Sequence, residues 1–122
     1  MRLPLLLTVM LALAACATTP PDPSVFDSAQ RAIEAAERAG AEELSPTELR
    51  FARERLELAR EAVERKKYDE ALLAIEQSEI NSELAIEKSR AALERRRVNE
   101  LRRSNEVLRE ELVRNYGEEF ER

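Results

Sequence analysis

The one cysteine of the chain, Cys16, lies between an apolar run and a proline-rich stretch. Residues 1–15 begin with a positive charge at Arg2, continue as an apolar run from Leu3, and end in two alanines. A run of this length is too short to cross ~30 Å of hydrocarbon as a helix, and its layout is typical of an export signal. A thiol placed there can act as a nucleophile at a membrane surface, so the sequence predicts that Cys16 is modified.

The residues around this cysteine, Leu13-Ala14-Ala15-Cys16, resemble a bacterial lipobox. At such a site diacylglycerol is attached to the sulfur by a thioether bond before a peptidase cleaves the signal. The resemblance implies that residues 1–15 are a lipoprotein signal peptide and that Cys16 is the lipidated N-terminus. Ala17 stands where an inner-membrane retention signal would carry Asp, so we expect an outer-membrane anchor facing the periplasm. The alternative is an ordinary secretory signal followed by an unmodified cysteine.

The composition argues against catalysis and against nucleic-acid binding. The chain has no His and no Trp, and only 4% of its residues are aromatic. It also has no glycine-rich phosphate loop. Removal of residues 1–15 leaves 19 basic and 25 acidic residues, a net charge of −6, and no aromatic residues lie between clustered basic ones. We therefore expect a non-enzymatic protein with no cofactor, no metal site and no nucleic-acid partner.

Prolines and capping signals mark the start of the folded part. Residues 16–23 contain three prolines, which favour an extended tether between the lipidated cysteine and the first helix. Ser24 is predicted to cap that helix, with Asp27 reaching back from the third helical position. Gly40 is the expected end of the helix, because glycine adopts the left-handed backbone conformation that ends helices.

Two further helices follow. Ser45-Pro46-Thr47-Glu48 is typical of a helix start, and the charges of Lys66-Lys67 suit a helix end. From Tyr68 there is no proline, and there is no glycine before Gly117. The sequence therefore predicts a third helix over about 69–115, ~70 Å long.

Apolar and small residues repeat at alternating spacings of three and four, which predicts one buried face on each helix. On the first half of the long helix this face consists mostly of Ala and Ser, and such small residues let helix axes approach closely. Leu72, Ile86 and Leu93 are expected to flank it and supply bulk. The predicted fold is all-α, with two short helices packed on the first half of one long helix whose C-terminal half protrudes. The expected parts are a three-helix bundle (24–93), a protruding helix (94–116) and a tail (117–122).

The repeat changes phase at residues 94–97, where one Glu precedes three Arg. The apolar positions that follow fit an a-d-a-d-a heptad pattern with one asparagine at an a position, which is typical of a two-stranded parallel coiled coil. Arg97 and Arg102 would repel each other in such a dimer, so a different partner helix is an equal alternative. The predicted partner-binding residues are Val98, Leu101, Asn105, Leu108 and Leu112.

Residues 90–103 contain six Arg and two Glu in an otherwise acidic chain. This segment could contact a lipid headgroup, lipopolysaccharide or an acidic partner. The alternative, which we favour, is a solvated helix segment whose arginines pair with a neighbouring chain and with Glu94, Glu100 and Glu106.

Two resemblances concern the helical body. Residues 52–71 resemble one tetratricopeptide hairpin, but a single repeat does not make a solenoid. Residues 13–93 resemble a family of uncharacterised bacterial lipoproteins with an alanine- and glutamate-rich three-helix domain, some of which continue into an OmpA-like domain. The matching stretches are "AACATTPP", "SAQRAIEAAERAGAEELSPTELRFARERLELA" and "YDEALLAIEQSEINSELA". The resemblance implies an envelope location and a helical fold, and no activity.

These observations leave two functions open. The first is a structural or scaffolding module, anchored to the membrane through Cys16 and acting by helix contacts. The second is a periplasmic chaperone-like or accessory subunit that grips a partner, either a second copy or another envelope protein, through residues 98–112.

Overall fold

The computed structural model describes residues 19–117, which are helical almost throughout and contain no strand. The first and third helices pack on the N-terminal half of the last helix, and the third makes the most extensive contact with it. The all-α architecture predicted from the sequence is confirmed, including the long helix with a protruding C-terminal half. The helices are α1 (Pro23–Arg38), α2 (Ala41–Leu44), α3 (Pro46–Glu64) and α4 (Tyr68–Tyr116).

Helix α1 begins two residues earlier than predicted, and its cap is a different side chain. Asp22 is the N-cap, and its Oδ1 accepts a hydrogen bond from the backbone N–H of Ser24 at 2.8 Å. This bond lowers the pKa of Asp22. Pro23 occupies the first helical position, where its missing N–H costs no hydrogen bond. The predicted capping pair of Ser24 and Asp27 is therefore wrong.

A short helix, α2, lies between α1 and α3, and the sequence analysis did not anticipate it. Gly40 adopts φ +80°, and its carbonyl oxygen accepts the N–H groups of Glu43 and Leu44 at 3.2 and 3.0 Å. The glycine therefore ends α1 as predicted and also begins the next helical turn. Ser45 then precedes α3, but its hydroxyl donates to the Glu48 carboxylate at 2.7 Å instead of capping the backbone.

The turn between α3 and α4 places a lysine in the left-handed conformation. Lys66 has φ +59°, and its N–H donates to the Val63 oxygen at 2.9 Å. The N–H of Lys67 donates to the Ala62 oxygen at 2.8 Å. These two bonds form a Schellman ending, which usually has glycine at the left-handed position. Helix α3 therefore ends at Glu64, before the two lysines that were expected to complete it.

The core is a seam of small residues between α4 and the two shorter helices, as the repeat predicted. Across it, the Ser78 hydroxyl donates to the Ala52 backbone oxygen at 2.8 Å. Leu72 and Leu93, expected to add bulk, are 46% and 48% exposed. Leu93 lies one turn past Ser89, the last buried residue of α4 in the described chain, and so beyond the end of the buried seam. Buried seam residues include Ala29, Ile33, Ala36, Leu49, Leu56, Ala59, Ala71, Ile75, Ser82 and Ala85.

Candidate functional site

The predicted partner-binding residues lie on the free half of α4, which the bundle does not cover. Val98, Leu101 and Leu108 are 42%, 56% and 53% exposed. Asn105 is exposed between them, and Leu112 is half-buried. At 1.5 Å per residue, the stripe from position 98 to position 112 is ~21 Å long. Because large apolar side chains are exposed along this whole length, the stripe is suited to contact with another molecule.

The stripe faces away from the side of α4 that holds the bundle. An α-helix advances about 100° per residue, so the stripe is rotated about 150° from the seam that contains Ser78 and Ser82. Neither α1 nor α3 could cover the stripe by being extended along the helix. The change of phase at residues 94–97 therefore separates two faces of α4 as well as two lengths of it.

One arginine of residues 90–103 attaches α4 to the bundle. Arg96 Nη2 donates to Glu43 Oε1 on α2 at 3.0 Å, so contact with the bundle continues past residue 93. Arg90 pairs with Glu87 on its own helix at 2.7 Å. The expected pairs with Glu94, Glu100 and Glu106 do not form within residues 19–117, partly because Arg96 is directed to α2. Arg95, Arg97, Arg102 and Arg103 make no ion pair in that part of the chain.

A second set of charges fastens α3 to α4. The Lys88 ammonium donates to one oxygen of the Glu48 carboxylate, and the Ser45 hydroxyl donates to the other. These two bonds, with the lysine bond the larger cause, lower the pKa of Glu48 from 4.5 to about 2. The Glu48 side chain is only 15% exposed, whereas that of Lys88 is about half exposed. Both partners are held between helices, so we assign this pair a structural role.

Arg53 joins the α1 end of the bundle to α3. Its Nη2 donates to Glu37 at 2.5 Å and to Glu42 at 2.6 Å, and these bonds raise the pKa of the guanidinium. One arginine therefore holds the last turn of α1 and the short helix α2 together. Sequence spacing could not show this contact, because the three residues belong to three different helices.

Within residues 19–117, no three His, Cys, Asp or Glu side chains are grouped so as to hold a metal ion. An open groove of about 270 Å³ between α3 and α4 is lined by Leu58, Ala62 and Leu73, among others. No helix in the described range is long and apolar enough to span a membrane. Cys16, the predicted lipidation site, lies outside the described residues.

Three exposed apolar residues on the bundled half of α4 were not singled out from the sequence. Leu73, Ile80 and Leu84 are 55%, 55% and 44% exposed. Ile80 and Leu84 lie away from the buried seam of α4, whereas Leu73 lies at the edge of the groove beside Leu58 of α3. Their spacing of seven and four was visible in the sequence, but the Ala and Ser seam of the same helix half masked it.

The fold and the exposed stripe define a class of protein: a small helical bundle whose last helix continues beyond it. The chain belongs to the DUF4398 family, a domain of unknown function, whose family model matches residues 25–101. The match covers the whole bundle and reaches Leu101, the second residue of the stripe. Comparison with curated proteins gives no match. Comparison with solved structures likewise gives none.

Proposed function

We propose that this chain is a non-enzymatic lipoprotein of the bacterial envelope that acts as a helical scaffold. Its lipid anchor is Cys16, on the outer membrane and facing the periplasm, and its contact surface is the stripe from Val98 to Leu112. The bundle is the folded base from which the stripe extends. In this role the protein holds a partner at a fixed distance from the membrane and performs no reaction.

The observation that carries the proposal is the exposure of the stripe on a continuous helix. Val98, Leu101 and Leu108 are each more than two-fifths exposed, although they follow a regular heptad spacing. A helix half that contacts only water does not require apolar residues at this spacing, because charged side chains alone would keep it soluble. A helix that binds another helix does need it.

The charge of the free half supports a protein partner. Residues 24–93 have 16 acidic and 11 basic residues, whereas residues 94–116 have five acidic and seven basic ones. The stripe is therefore bordered by arginines, several of which make no ion pair in the described chain. Arginine is among the residues that are enriched at protein interfaces.

The anchor is tested by the processing of Cys16. Cys16→Ser should block lipidation and cleavage, leaving an unacylated precursor that is longer by the signal peptide. Mass spectrometry of the protein purified from cell membranes checks this, with Ala17→Ser as the matched control that should be processed normally. A mature N-terminus other than acylated Cys16 would contradict the anchor.

The contact surface is tested by crosslinking in cells. A photoreactive amino acid at Arg102, beside the stripe, should capture a defined protein, whereas the same amino acid at Arg31 on α1 should not. Capture should disappear when Leu101→Glu and Leu108→Glu are combined. Capture that is unchanged in this double variant would show that the stripe is not the contact surface.

The alternative function, a chaperone-like or accessory subunit, uses the same stripe. The two functions differ in what is captured. A scaffold yields one partner in constant ratio, whereas a chaperone-like subunit yields many clients, and their capture increases when envelope proteins are unfolded by heat.

A further inference from the structure

Six of the ten large apolar residues exposed on α4 fall in one heptad series, and the other four, Leu72, Leu93, Val107 and Tyr116, lie outside it. Leu73, Ile80 and Leu84 continue the register of the stripe toward the N-terminus, along the outside of the bundle. Eight of the twelve a and d positions between residues 73 and 112 are apolar. The a positions are Gln77, Leu84, Ala91, Val98, Asn105 and Leu112, and the d positions are Leu73, Ile80, Glu87, Glu94, Leu101 and Leu108.

We propose that a second copy of this chain packs along this face from Leu73 to Leu112, parallel and in register. The proposal rests on the proposed role of the stripe as a contact surface, and it names the partner. It also enlarges that surface from residues 98–112 to about 40 residues, of which the first half lies on the back of the bundle. The dimer is then a two-stranded coiled coil with one bundle on each outer side.

The position of the bundle leaves room for this arrangement. The seam that holds α1 and α3 is centred about 150° around α4 from the stripe, so the two bundles would lie on opposite outer sides. Helix α3 comes near the face only at the groove beside Leu73 and Gln77. A heptad series drifts by ~20° per heptad on a straight helix, and a left-handed supercoil removes the drift. The two long helices would therefore wind gently around each other, as in other coiled coils.

Two polar residues of the series, Asn105 and Glu94, find partners in the second copy when the copies are parallel. Asn105 at an a position meets Asn105 of the second copy, and paired amides at this position favour two parallel strands in register. A d residue packs beside the partner's following e residue. Glu94 therefore lies next to Arg95 of the second copy, whereas Glu87 keeps Arg90 of its own helix as partner, because Lys88 is held by Glu48. Glu87 and Glu94 also each face their own counterpart, and this repulsion weakens the dimer. Arg95 makes no ion pair within residues 19–117, so it is free for this contact.

An antiparallel pair lacks this match. It would place Asn105 opposite a leucine or another d residue, leaving its amide buried without a partner. In the parallel pair, Arg90 approaches Arg95 of the second copy, and Arg97 approaches Arg102 of the second copy. These like charges repel each other and weaken the dimer. Glu94 lies beside the first of these pairs and offsets part of the repulsion.

Analytical ultracentrifugation of residues 17–122, which retain every helix of the structure, tests the extent of the interface. Ile80→Glu with Leu84→Glu should raise the dimer dissociation constant at least ~10-fold, because it brings charges into apolar layers. The pair Leu101→Glu with Leu108→Glu should do the same. Ser28→Glu, at an exposed position on α1, is the control and should leave the constant unchanged. Circular dichroism confirms that each variant keeps its helices.

Disulfide formation tests the register independently of any loss of folding. Residues 17–122 contain no cysteine, so single changes report on single positions. Ala91→Cys and Leu112→Cys, made separately at a positions, should both give crosslinked dimers on oxidation. Arg103→Cys, on the outer side of the helix, should not. In an antiparallel pair, positions 91 and 112 cannot both lie opposite their own counterparts in the second copy.

Each result is decisive. A wild-type fragment that stays monomeric at high concentration overturns the second copy as partner, and crosslinking in cells then decides whether the stripe binds another protein. A dimer that is weakened by changes at Leu101 and Leu108 but not by those at Ile80 and Leu84 overturns the extended interface alone. Absence of a disulfide at Ala91→Cys in a dimeric protein overturns the parallel register.

Discussion

The two halves of α4 use apolar residues in opposite ways. The bundled half buries its smallest side chains, Ala71, Ser78, Ser82 and Ala85, while larger ones such as Leu73 and Ile80 remain exposed. The free half has no buried residue among those described, although its leucines follow a regular heptad. Ile75 is the one large side chain that the bundled half of α4 buries in the described chain. The size of a side chain alone therefore does not predict which face of this helix is the core.

The halves also differ in what their charges do. In the bundled half, Lys88 reaches Glu48 on α3, and just past its end Arg96 reaches Glu43 on α2. These pairs set how the short helices sit on the long one. Farther along, Arg97, Arg102 and Arg103 have no ion pair within the described residues. Charges thus serve internal contacts in one half and are available for external ones in the other.

The largest expected contrast is between a core leucine and a stripe leucine. Leu56 is 2% exposed, so Leu56→Ala should lower the free energy of unfolding by about 2–5 kcal/mol, through lost burial and the cavity left behind. Leu101→Ala, the same change on the free half, should alter it by less than about 0.5 kcal/mol. Urea unfolding of both variants, at concentrations where the wild type is monomeric, measures the difference. Equal losses would mean that the free half folds back onto the bundle.

The next contrast is between two alanines of α4, each replaced by the larger leucine. Ala85 is fully buried in the seam, so Ala85→Leu should destabilise the bundle by about 1–3 kcal/mol. Ala91 is exposed on the opposite side of the same helix, and Ala91→Leu should cause no loss. Thermal unfolding compares the two. If Ala91→Leu lowered the stability, or if Ala85→Leu did not, the buried and exposed faces of α4 would have been assigned the wrong way round.

The sequence predicted features within one helix better than contacts between residues that are far apart in the sequence. The 3-4 spacing gave the seam, because neighbouring turns of one helix determine which residues share a face. Glycine and proline gave the helix ends, but only to within a residue or two. Asp22 replaced Ser24 as the cap because Pro23 already fits the first helical position. The left-handed Lys66 had no sequence signal, since glycine is the residue normally expected there.

The exposure of the stripe could be predicted from the sequence, whereas its role as a contact surface stays a prediction. The stripe from Val98 onward was evident because no small-residue seam overlaps it. Leu73, Ile80 and Leu84 were missed because two faces of the same helix half are superimposed in the sequence. The bonds of Arg53 and Arg96 could not be predicted either. They join residues far apart in sequence, whose distances depend on how α2 is placed.

The smallest expected effect is a pH dependence specific to the bundled half. The pKa of Glu48 is about 2 in the folded chain and ordinarily 4.5, so its carboxylate stabilises the fold fully above pH 4.5. That contribution is lost as the pH falls through about 2, because protonation removes the charge that Lys88 and Ser45 contact. Lys88 is half exposed, so the contribution should be about 1 kcal/mol or less.

Glu48→Gln isolates this contribution from the titration of the other carboxylates. The variant should be less stable than the wild type at pH 7, and the difference should shrink between pH 4.5 and 2 until the two unfold alike. Urea unfolding at several pH values, with Glu83→Gln as an exposed control, measures it. Lys88→Met should reproduce most of the effect, because the lysine bond is the main cause of the low pKa. Suppose instead that the difference in stability between the wild type and Glu48→Gln stays constant from pH 7 to 2. The loss would then come from the geometry of the amide, and the charge of Glu48 would contribute nothing. The contacts between α3 and α4 would then depend on the small-residue seam alone.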